Sequence, residues 1–336
     1  MSMSLWSVSN KWVLCALGHN VKNLDLSLKM SRLTRRLCMS SSLKTLNLCL
    51  FGYVLNVPTN VRFSNLENLN FKHIRFFSDN SAAKFIISCP ILENLIYTCC
   101  NVSVLDIRSP KLIILKMKGL LETCEIKLST PFLTKLVYEG PIPREFTIEE
   151  LSSLFEASFS FRKLEPTENE IDHRAINILR GISNATRLLL DEHFIQLLST
   201  VSDLSTSLPT SCPMLKHMKI YIHLANIEAI AFLLGSYPNL QSLDLFIYHE
   251  DAFPGIIDGN NYSKSNELLP LCMLNHLKTV SIFNFGGSAR ELKFMKFLLN
   301  NANVLEEMVI STMQWKLENH MEITDMWLNS STTCDS

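Results

Sequence analysis

Three closely spaced copies of one six-residue phrase decide the fold: LENLIY at residues 92–97, VSVLDI at 102–107 and LIILKM at 112–117. Each copy follows the pattern apolar-x-x-apolar-x-apolar. The last two apolar positions are two residues apart, so on a β-strand they point to the same side and the residue between them points to the other side. Each copy therefore predicts one short strand with one apolar face.

The same phrase recurs along the whole chain. Nine further copies begin at Val21, Leu43, Leu66, Leu133, Ala185, Leu215, Leu240, Leu277 and Leu305. Most copies start about 20 to 30 residues after the preceding one, which is the period of a leucine-rich repeat. The 52-residue interval after Leu133 contains LSSLFEASF at 151–159, which nearly keeps the phrase. One strand cannot bury its apolar side alone, but stacked copies bury a continuous core.

Several copies are preceded by a helical stretch and a stop. Residues 80–88 lead to Cys89-Pro90, and residues 227–234 lead to a turn that ends at Pro238. Proline cannot continue a helix, and it biases the preceding residue toward extended geometry, so each stop starts a strand. The copies at 92, 102 and 112 are too close together for intervening helices, and we expect tight turns between those strands.

These patterns predict an α/β fold, an irregular leucine-rich-repeat solenoid. Its curved parallel sheet should have 12 or 13 strands, with helices and coil on the convex face. Chance matches in an apolar-rich sequence are the alternative, but the regular spacing favours the repeat. We expect the following inward residues to be nearly fully buried: Leu24, Leu26, Leu46, Leu48, Leu69, Leu105, Leu115, Leu136, Leu188, Leu243 and Leu245.

Composition and charge exclude several classes of protein. The 336 residues are 47% hydrophobic and carry a net charge of -1, so there is no global attraction to nucleic acid or to an anionic membrane. The longest apolar runs have six residues, far short of the roughly 20 that span a bilayer. The first residues lack the features of a signal peptide, so we expect a cytoplasmic or nuclear protein whose 10 cysteines are thiols.

No catalytic motif accompanies the repeats. The sequence has no G-x-S-x-G, G-x-G-x-x-G, Walker or H-E-x-x-H pattern, so we predict neither an enzyme nor a bound cofactor or metal. His217 and His223 are six residues apart, which suits no common metal site. Glu149-Glu150 is expected at a helix start, and Gly286-Gly287 is expected to open a helix near Ser288.

One segment near the end of the chain resembles a known family. Residues 268–310 read LLPLCMLNHLKTVSIFNFGGSARELKFMKFLLNNANVLEEMVI, which resembles the FBD domain of plant F-box proteins. The matching positions are Cys272, Leu277, Lys278, Val280, Gly286, Leu298, Leu299, Asn301, Ala302, Val304 to Glu306, and Met308. Upstream, SCPILENLIYTCCNVSVLDIRSPKL at 88–112 is similar to the irregular leucine-rich repeats that accompany this domain.

The resemblance implies a domain organisation and a function. Residues 1–265 would form the repeat array, 266–312 an FBD domain that continues it, and 313–336 a C-terminal helix or tail. Independently of the resemblance, the Gly, Asn, Asp and Ser content of residues 249–266 predicts an exposed loop with a turn at Asp258-Gly259. The family serves as the substrate-recognition subunit of SCF ubiquitin ligases, so the implied partner is a target protein, without nucleic acid or membrane.

Nothing before Trp12 matches the F-box of this family. We therefore expect binding to a Skp-type adaptor and cullin only when an F-box is supplied upstream. The alternative function is an orphan leucine-rich-repeat interaction protein that recruits no ligase.

The outward positions of the phrases give candidate partner-binding residues. Between the copies at Val102 and Leu215 these include the cations Arg108, Lys116, Lys118, Lys135, Arg187 and Lys219. Acidic residues in the same set are Asp106, Glu139 and Asp191. The small positive excess predicts a concave surface that engages an acidic segment of a target, whereas the alternative is a solvated sheet face with mixed charges.

Overall fold

A computed structural model of the chain describes residues 11–29, 33–58, 60–77, 79–162, 171–201, 204–208, 212–223, 226–248 and 274–312. The strands of this part are β1 (Asn23–Ser27), β2 (Thr45–Cys49), β3 (Val54–Leu55), β4 (Asn68–Lys72), β5 (Arg75–Phe76), β6 (Asn94–Thr98), β7 (Val104–Arg108), β8 (Ile114–Lys118), β9 (Glu125–Ser129), β10 (Lys135–Gly140), β11 (Glu145–Glu150), β12 (Glu156–Phe161), β13 (Arg187–Leu190), β14 (His217–His223), β15 (Ser242–Tyr248), β16 (Thr279–Phe285) and β17 (Glu307–Thr312). The helices are α1 (11–18), α2 (Arg35–Cys38), α3 (Asp79–Ile87), α4 (Ile171–Gly181), α5 (Glu192–Ser199), α6 (Leu204–Ser207), α7 (Ile227–Gly235) and α8 (Ala289–Asn301).

A long parallel sheet, which we call the main sheet, confirms the repeat prediction. Its order is β1-β2-β4-β6-β8-β10-β12-β13-β14-β15-β16-β17, twelve strands within the described residues. Eleven of the twelve predicted copies supply one strand each. The degenerate stretch at 151–159 leads into β12 and supplies the remaining one. Every pair of neighbours is parallel, as expected of an array of one repeating unit.

The copy at Val102 lies outside the main sheet, which corrects its expected position. It forms β7, and β7 pairs with β9 and β11 in a separate sheet of three strands. Between β6 and β12 the chain therefore alternates between two sheets. Ten residues suffice for one strand and a turn but not for a helix and its connections, so here a strand replaces the helix of the other repeats.

The elements behind the main sheet form a second layer. Over the middle of the array this layer runs from α3 beside β7 through β9 and β11 to α4, which packs on β11. The helix α5 then contacts both α4 and α7. The placement of Glu149-Glu150 at a helix start is wrong, because these residues end the strand β11.

Helix ends follow the predicted stops. The helices α3 and α7 cover the two predicted helical stretches and end just before the Pro-containing turns. The helix α8 begins after Ser288, whose hydroxyl accepts a hydrogen bond from the Glu291 backbone N–H at 3.3 Å. The Glu291 carboxylate in turn accepts from the backbone N–H groups of Ser288 and Gly286. This capping box fixes the predicted turn at Gly286-Gly287.

The core lies between the two layers. Ten of the eleven predicted inward leucines are at most 7% exposed. The exception is Leu24, which is only partly buried because β1 is the first strand of the main sheet and has a neighbour on one side. At the second inward position, large aromatic residues fill the middle of the core, namely Phe71, Tyr97, Tyr138 and Phe159.

The sheet continues without interruption into the region that resembles the FBD domain. The strand β16 pairs in register with β15, with Leu243 opposite Val280, and β17 pairs with β16. The expected loop at 249–266, the expected helix or tail at 313–336 and Cys272 lie outside the described residues. In the described part of the chain, no helix is long and apolar enough to cross a membrane.

Candidate interaction surface

The candidate surface is the face of the main sheet opposite the second layer, and we call it the open face. Its side chains alternate with core side chains along each strand, as the burial of β8 shows: Leu115 and Met117 are buried, whereas Ile114, Lys116 and Lys118 are partly exposed. Because the strands are in register, outward residues form rows that run across the sheet. The chemistry of these rows changes from one end of the array to the other.

The first four strands of the main sheet present side-chain amides. Asn47 donates to the Asp25 carboxylate at 3.3 Å, and Asn94 donates to the Asn68 carbonyl oxygen at 2.7 Å. Asn68 also donates to the Thr45 hydroxyl at 3.3 Å. These bonds link residues that are directly opposite one another on adjacent strands. Amides carry both donors and acceptors, so this part of the open face is polar with little charge.

The middle strands present ion pairs. Lys118 Nζ lies 3.0 Å from Glu139 Oε1, and Lys135 Nζ lies 2.9 Å from Glu156 Oε1. The second pair is the more buried, with side chains 15% and 10% exposed. Glu156 is also opposite Arg187 in register, so it stands between two cations of the same row. The cations predicted from the sequence are thus largely balanced by glutamates within the sheet itself.

The strands β14 to β16 present a row of aromatic rings. The centroids of Phe246 and Phe283 are 4.3 Å apart with nearly parallel planes, and Tyr221 and Phe246 are 4.9 Å apart. Tyr248 extends the group, 5.9 Å from Tyr221. Rings on adjacent strands stack because the strand spacing is close to the stacking distance.

Lys219 lies against this aromatic row. Its ammonium is 4.3 Å from the centroid of Phe246 and 5.2 Å from that of Tyr221. The residue is 5% exposed, and burial lowers the pKa of its amine to about 8, although Asp244 on β15 acts in the opposite direction. The ammonium therefore contacts the faces of two aromatic rings and has little access to water.

The structure does not bring all six candidate cations together. Lys116, Lys118, Lys135, Arg187 and Lys219 lie on the open face, on β8, β10, β13 and β14. The sixth, Arg108, was expected on the same face. That placement is wrong, because β7 belongs to the second layer.

The acidic residues of the candidate set are also divided. Asp106 is on β7, where it contacts Arg108 at 3.0 Å, and Glu149 on β11 contacts Arg108 at 3.5 Å. Asp191 caps α5 and accepts hydrogen bonds from the Phe194 backbone N–H at 2.9 Å and the Ser160 hydroxyl at 3.2 Å. Of the three, only Glu139 balances a lysine on the open face.

Sequence reasoning missed the aromatic row. Tyr221, Phe246 and Phe283 all follow a phrase copy at its seventh position, counted from Leu215, Leu240 and Leu277. Aligning the copies and reading down that column would have found them. The charges in that column are what the candidate set of cations reflects.

The histidines and most of the cysteines that the structure describes are dispersed along the chain. No three His, Cys, Asp or Glu side chains there are arranged to hold a metal ion. His217 lies on the open face with much of its surface exposed to solvent. Partial desolvation of the imidazole, and then the positive charge of Arg187, lower the pKa of this group. Burial raises the pKa of the Cys38, Cys89, Cys100 and Cys124 thiols to about 12, so these groups remain protonated and unreactive.

Two sequence profiles match this chain. Residues 10–149 match the leucine-rich repeats of the FBD-associated F-box protein At5g56370, and residues 266–310 match the FBD domain. The first match covers β1 to β11, and the second covers β16, α8 and most of β17.

Curated proteins of Arabidopsis thaliana are similar over most of the chain. The putative F-box/FBD/LRR-repeat protein At1g66290 is 25% identical over 92% of this chain and 68% of its own length. The F-box/LRR-repeat protein At3g03360 is 27% identical over 70% of this chain and 51% of its own length. The putative F-box protein At3g44060 is 25% identical over 91% of this chain and 72% of its own length. The chain therefore spans between half and three quarters of these relatives.

Proposed function

Because this chain carries the leucine-rich repeats and the FBD domain of the plant F-box/FBD/LRR-repeat protein family, we propose that it is a protein-interaction subunit that recognises targets for an SCF-type ubiquitin ligase. In this role the open face binds the target protein. Ligase recruitment requires an F-box, with which a Skp-type adaptor and a cullin assemble. The site of action is the cytoplasm or the nucleus.

One observation carries the proposal: the open face of the main sheet is long, and the described helices pack on its opposite side. Twelve strands at about 4.8 Å make a surface roughly 55 Å long. A solenoid presents such a surface as an extended binding site. Along this surface the side chains change from amides to ion pairs to aromatic rings, so different parts of it can contact different groups of a partner. Tyrosine and other aromatic residues are enriched where proteins bind one another.

The experiment tests recognition and ligation separately. The chain is fused behind an F-box, assembled with a Skp-type adaptor and a cullin, and used to capture proteins from plant extract. Captured proteins are then supplied to the reconstituted ligase with ubiquitin. We expect at least one captured protein to be ubiquitinated, and the reaction to fail when the fusion carries only the F-box.

Charge reversals locate the binding face. The variant Lys116→Glu, Lys118→Glu, Arg187→Glu changes the open face, whereas Arg108→Glu changes an exposed cation of the second layer. Loss of target binding in the triple variant, with binding kept in Arg108→Glu, would support the open face as the binding site.

A target that binds but is never ubiquitinated would instead identify an interaction protein without ligase recruitment.

A further inference from the structure

Two adjoining depressions lie where the first strands of the main sheet end. The first has a volume of about 420 Å³ and is lined on the open face by Asn47, Asn70 and Lys72, among others. The second has a volume of about 380 Å³ and is lined by Arg75 and Asn101, among others. Both are also lined by Phe51 and His73, so they meet there. We call the combined depression the N-terminal groove.

Phe51 lines both depressions of the N-terminal groove, and two further exposed aromatic residues, Tyr53 and Phe77, follow the lining residues Gly52 and Arg75 by one and two positions. The exposed fractions are 55% for Phe51, 45% for Tyr53 and 71% for Phe77. The backbone of Tyr53 accepts a hydrogen bond from the Arg75 N–H, and Phe77 follows Arg75 by two residues. Large apolar side chains that cluster around a depression on the surface are typical of a binding site.

The backbone holds this arrangement in an unusual conformation. Phe51 and His73 have φ angles of 51°, in the left-handed region that non-glycine residues seldom adopt. In register, Gly119 after β8 is equivalent to His73 after β4 and to Cys99 after β6, and the φ angles of Gly119 and Cys99 are 62° and 50°. Phe51 lies one position further along its own repeat, and it keeps a left-handed backbone while its ring is 55% exposed.

The groove is lined by two cations, Lys72 and Arg75, and by one carboxylate, Asp25, which gives a positive excess. Lys72 and Arg75 are exposed, and neither has an ion pair with any residue in the described ranges. The middle of the open face differs, since Lys118 and Lys135 are each paired with a glutamate. Asp25, the carboxylate of the groove, already accepts a hydrogen bond from Asn47.

The geometry points to the N-terminal groove as a docking site for an acidic peptide segment in which carboxylates flank an apolar side chain. The carboxylates would bind Lys72 and Arg75, and the apolar side chain would pack against Phe51. The amides of Asn47, Asn70 and Asn101 offer hydrogen bonds to a peptide backbone. This inference deepens the proposed function, because it names the partner chemistry of one end of the open face.

The test uses the purified chain and two fluorescein-labelled peptides, Gly-Glu-Glu-Leu-Glu-Glu-Gly and its Gln counterpart Gly-Gln-Gln-Leu-Gln-Gln-Gly. Fluorescence anisotropy at low and physiological ionic strength measures both affinities. We expect the Glu peptide to bind at least tenfold more tightly than the Gln peptide at low salt. This preference should shrink as salt screens the charges.

Three variants assign the binding to the groove. Lys72→Glu with Arg75→Glu should weaken binding of the Glu peptide at least tenfold. Phe51→Asn, which keeps a residue tolerant of positive φ, should weaken both peptides. The control Lys111→Glu reverses an exposed cation elsewhere and should leave both affinities unchanged.

Equal affinity for the two peptides, or unchanged binding in the double variant, would overturn the inference. No ligase component takes part in this assay, so its outcome is independent of ubiquitination. If the Glu peptide binds but the fused ligase is inactive, the inference about the groove holds and the proposed ligase function is wrong. If the ligase is active but Lys72→Glu with Arg75→Glu leaves target binding unchanged, the proposed function holds and the inference about the groove is wrong.

Discussion

Two buried tyrosines occupy equivalent places in the repeat but differ in what their hydroxyl groups contact. Tyr138 on β10 donates a hydrogen bond to the Pro141 carbonyl. The hydroxyl of Tyr97 on β6 is fully buried and has no hydrogen-bond partner among the described residues. Burial raises the pKa of both phenols, so both remain protonated.

We predict opposite effects for the two Tyr→Phe substitutions. Tyr138→Phe removes a satisfied hydrogen bond and should lower the free energy of unfolding by about 1 kcal/mol. Tyr97→Phe removes a desolvated hydroxyl and should be neutral or stabilising by up to about 1 kcal/mol. Urea denaturation of both variants gives the comparison. Equal destabilisation by the two changes would mean that the Tyr97 hydroxyl is satisfied in solution.

Lys219 supplies a prediction in which pH is the variable. Its folded-state pKa of about 8 is below the ordinary value of 10.5 because the amine is buried. Below about pH 8 the folded chain carries a poorly solvated ammonium, which lowers the free energy of unfolding. As the pH rises from about 8 to 10.5, this destabilising contribution disappears. We expect Lys219→Met to be more stable than wild type at pH 7, with the difference shrinking toward pH 10. A constant difference between thermal unfolding curves across that range would contradict the burial of the ammonium.

The sequence predicts which residues of a strand point outward but not what they contact. Alternation within LIILKM correctly places Lys116 and Lys118 on the open face. Their partners depend on which strands flank β8; these are β6 and β10, and Glu139, the partner of Lys118, lies on β10. The same ambiguity misplaced Arg108, because a single phrase looks identical in either layer.

At the scale of elements, the second layer changes from helix to strand and back. The sequence shows the change only as ten-residue spacing between phrase copies. The six-residue phrase does not predict the strands β9 and β11, although Ile126 and Leu128 alternate with polar residues as Phe146 and Ile148 do. These segments lack the first apolar position of the phrase, so a search for the whole phrase passes over them.

The junction at which helix resumes is tightly packed. Gly181, the last residue of α4, lies against Ile148 of β11: a Cβ atom at Gly181 would be 2.6 Å from Ile148 Cδ1 and 2.7 Å from its Cβ. We predict that Gly181→Ala lowers the free energy of unfolding by about 1 to 3 kcal/mol despite the better helix propensity of alanine.

A double-mutant cycle checks the cause of this effect. The cost of Gly181→Ala should be smaller in an Ile148→Ala background, because Cδ1 and Cγ1 are then gone and only the Ile148 Cβ contact at 2.7 Å remains. Gly18→Ala is a suitable control, since the nearest atom to a Cβ there is Arg36 Nη2 at 3.9 Å. An equal cost in both backgrounds would show that the outer atoms of the Ile148 side chain do not cause the destabilisation.

At the scale of the whole molecule, the array is close to one-dimensional. Each strand of the main sheet pairs only with its immediate neighbours, and the extensive contacts between elements follow the same order. Stability is then approximately a sum of repeat terms and neighbour terms, so damage at one end need not reach the other. Substitutions in the N-terminal groove can accordingly be tested while the opposite end of the array stays folded.

This organisation predicts that a core substitution acts locally. Leu245 on β15 and Leu48 on β2 are both at most 1% exposed and hold the same inward position of their repeats. Replacing either with Ala should cost about 2 to 5 kcal/mol. Native-state hydrogen exchange should show Leu245→Ala lowering protection in β14 to β16 while β2 to β6 keep wild-type protection, and Leu48→Ala should show the converse. A uniform loss of protection along the whole sheet in either variant would mean that the array unfolds as one cooperative unit, and the nearest-neighbour description would then fail.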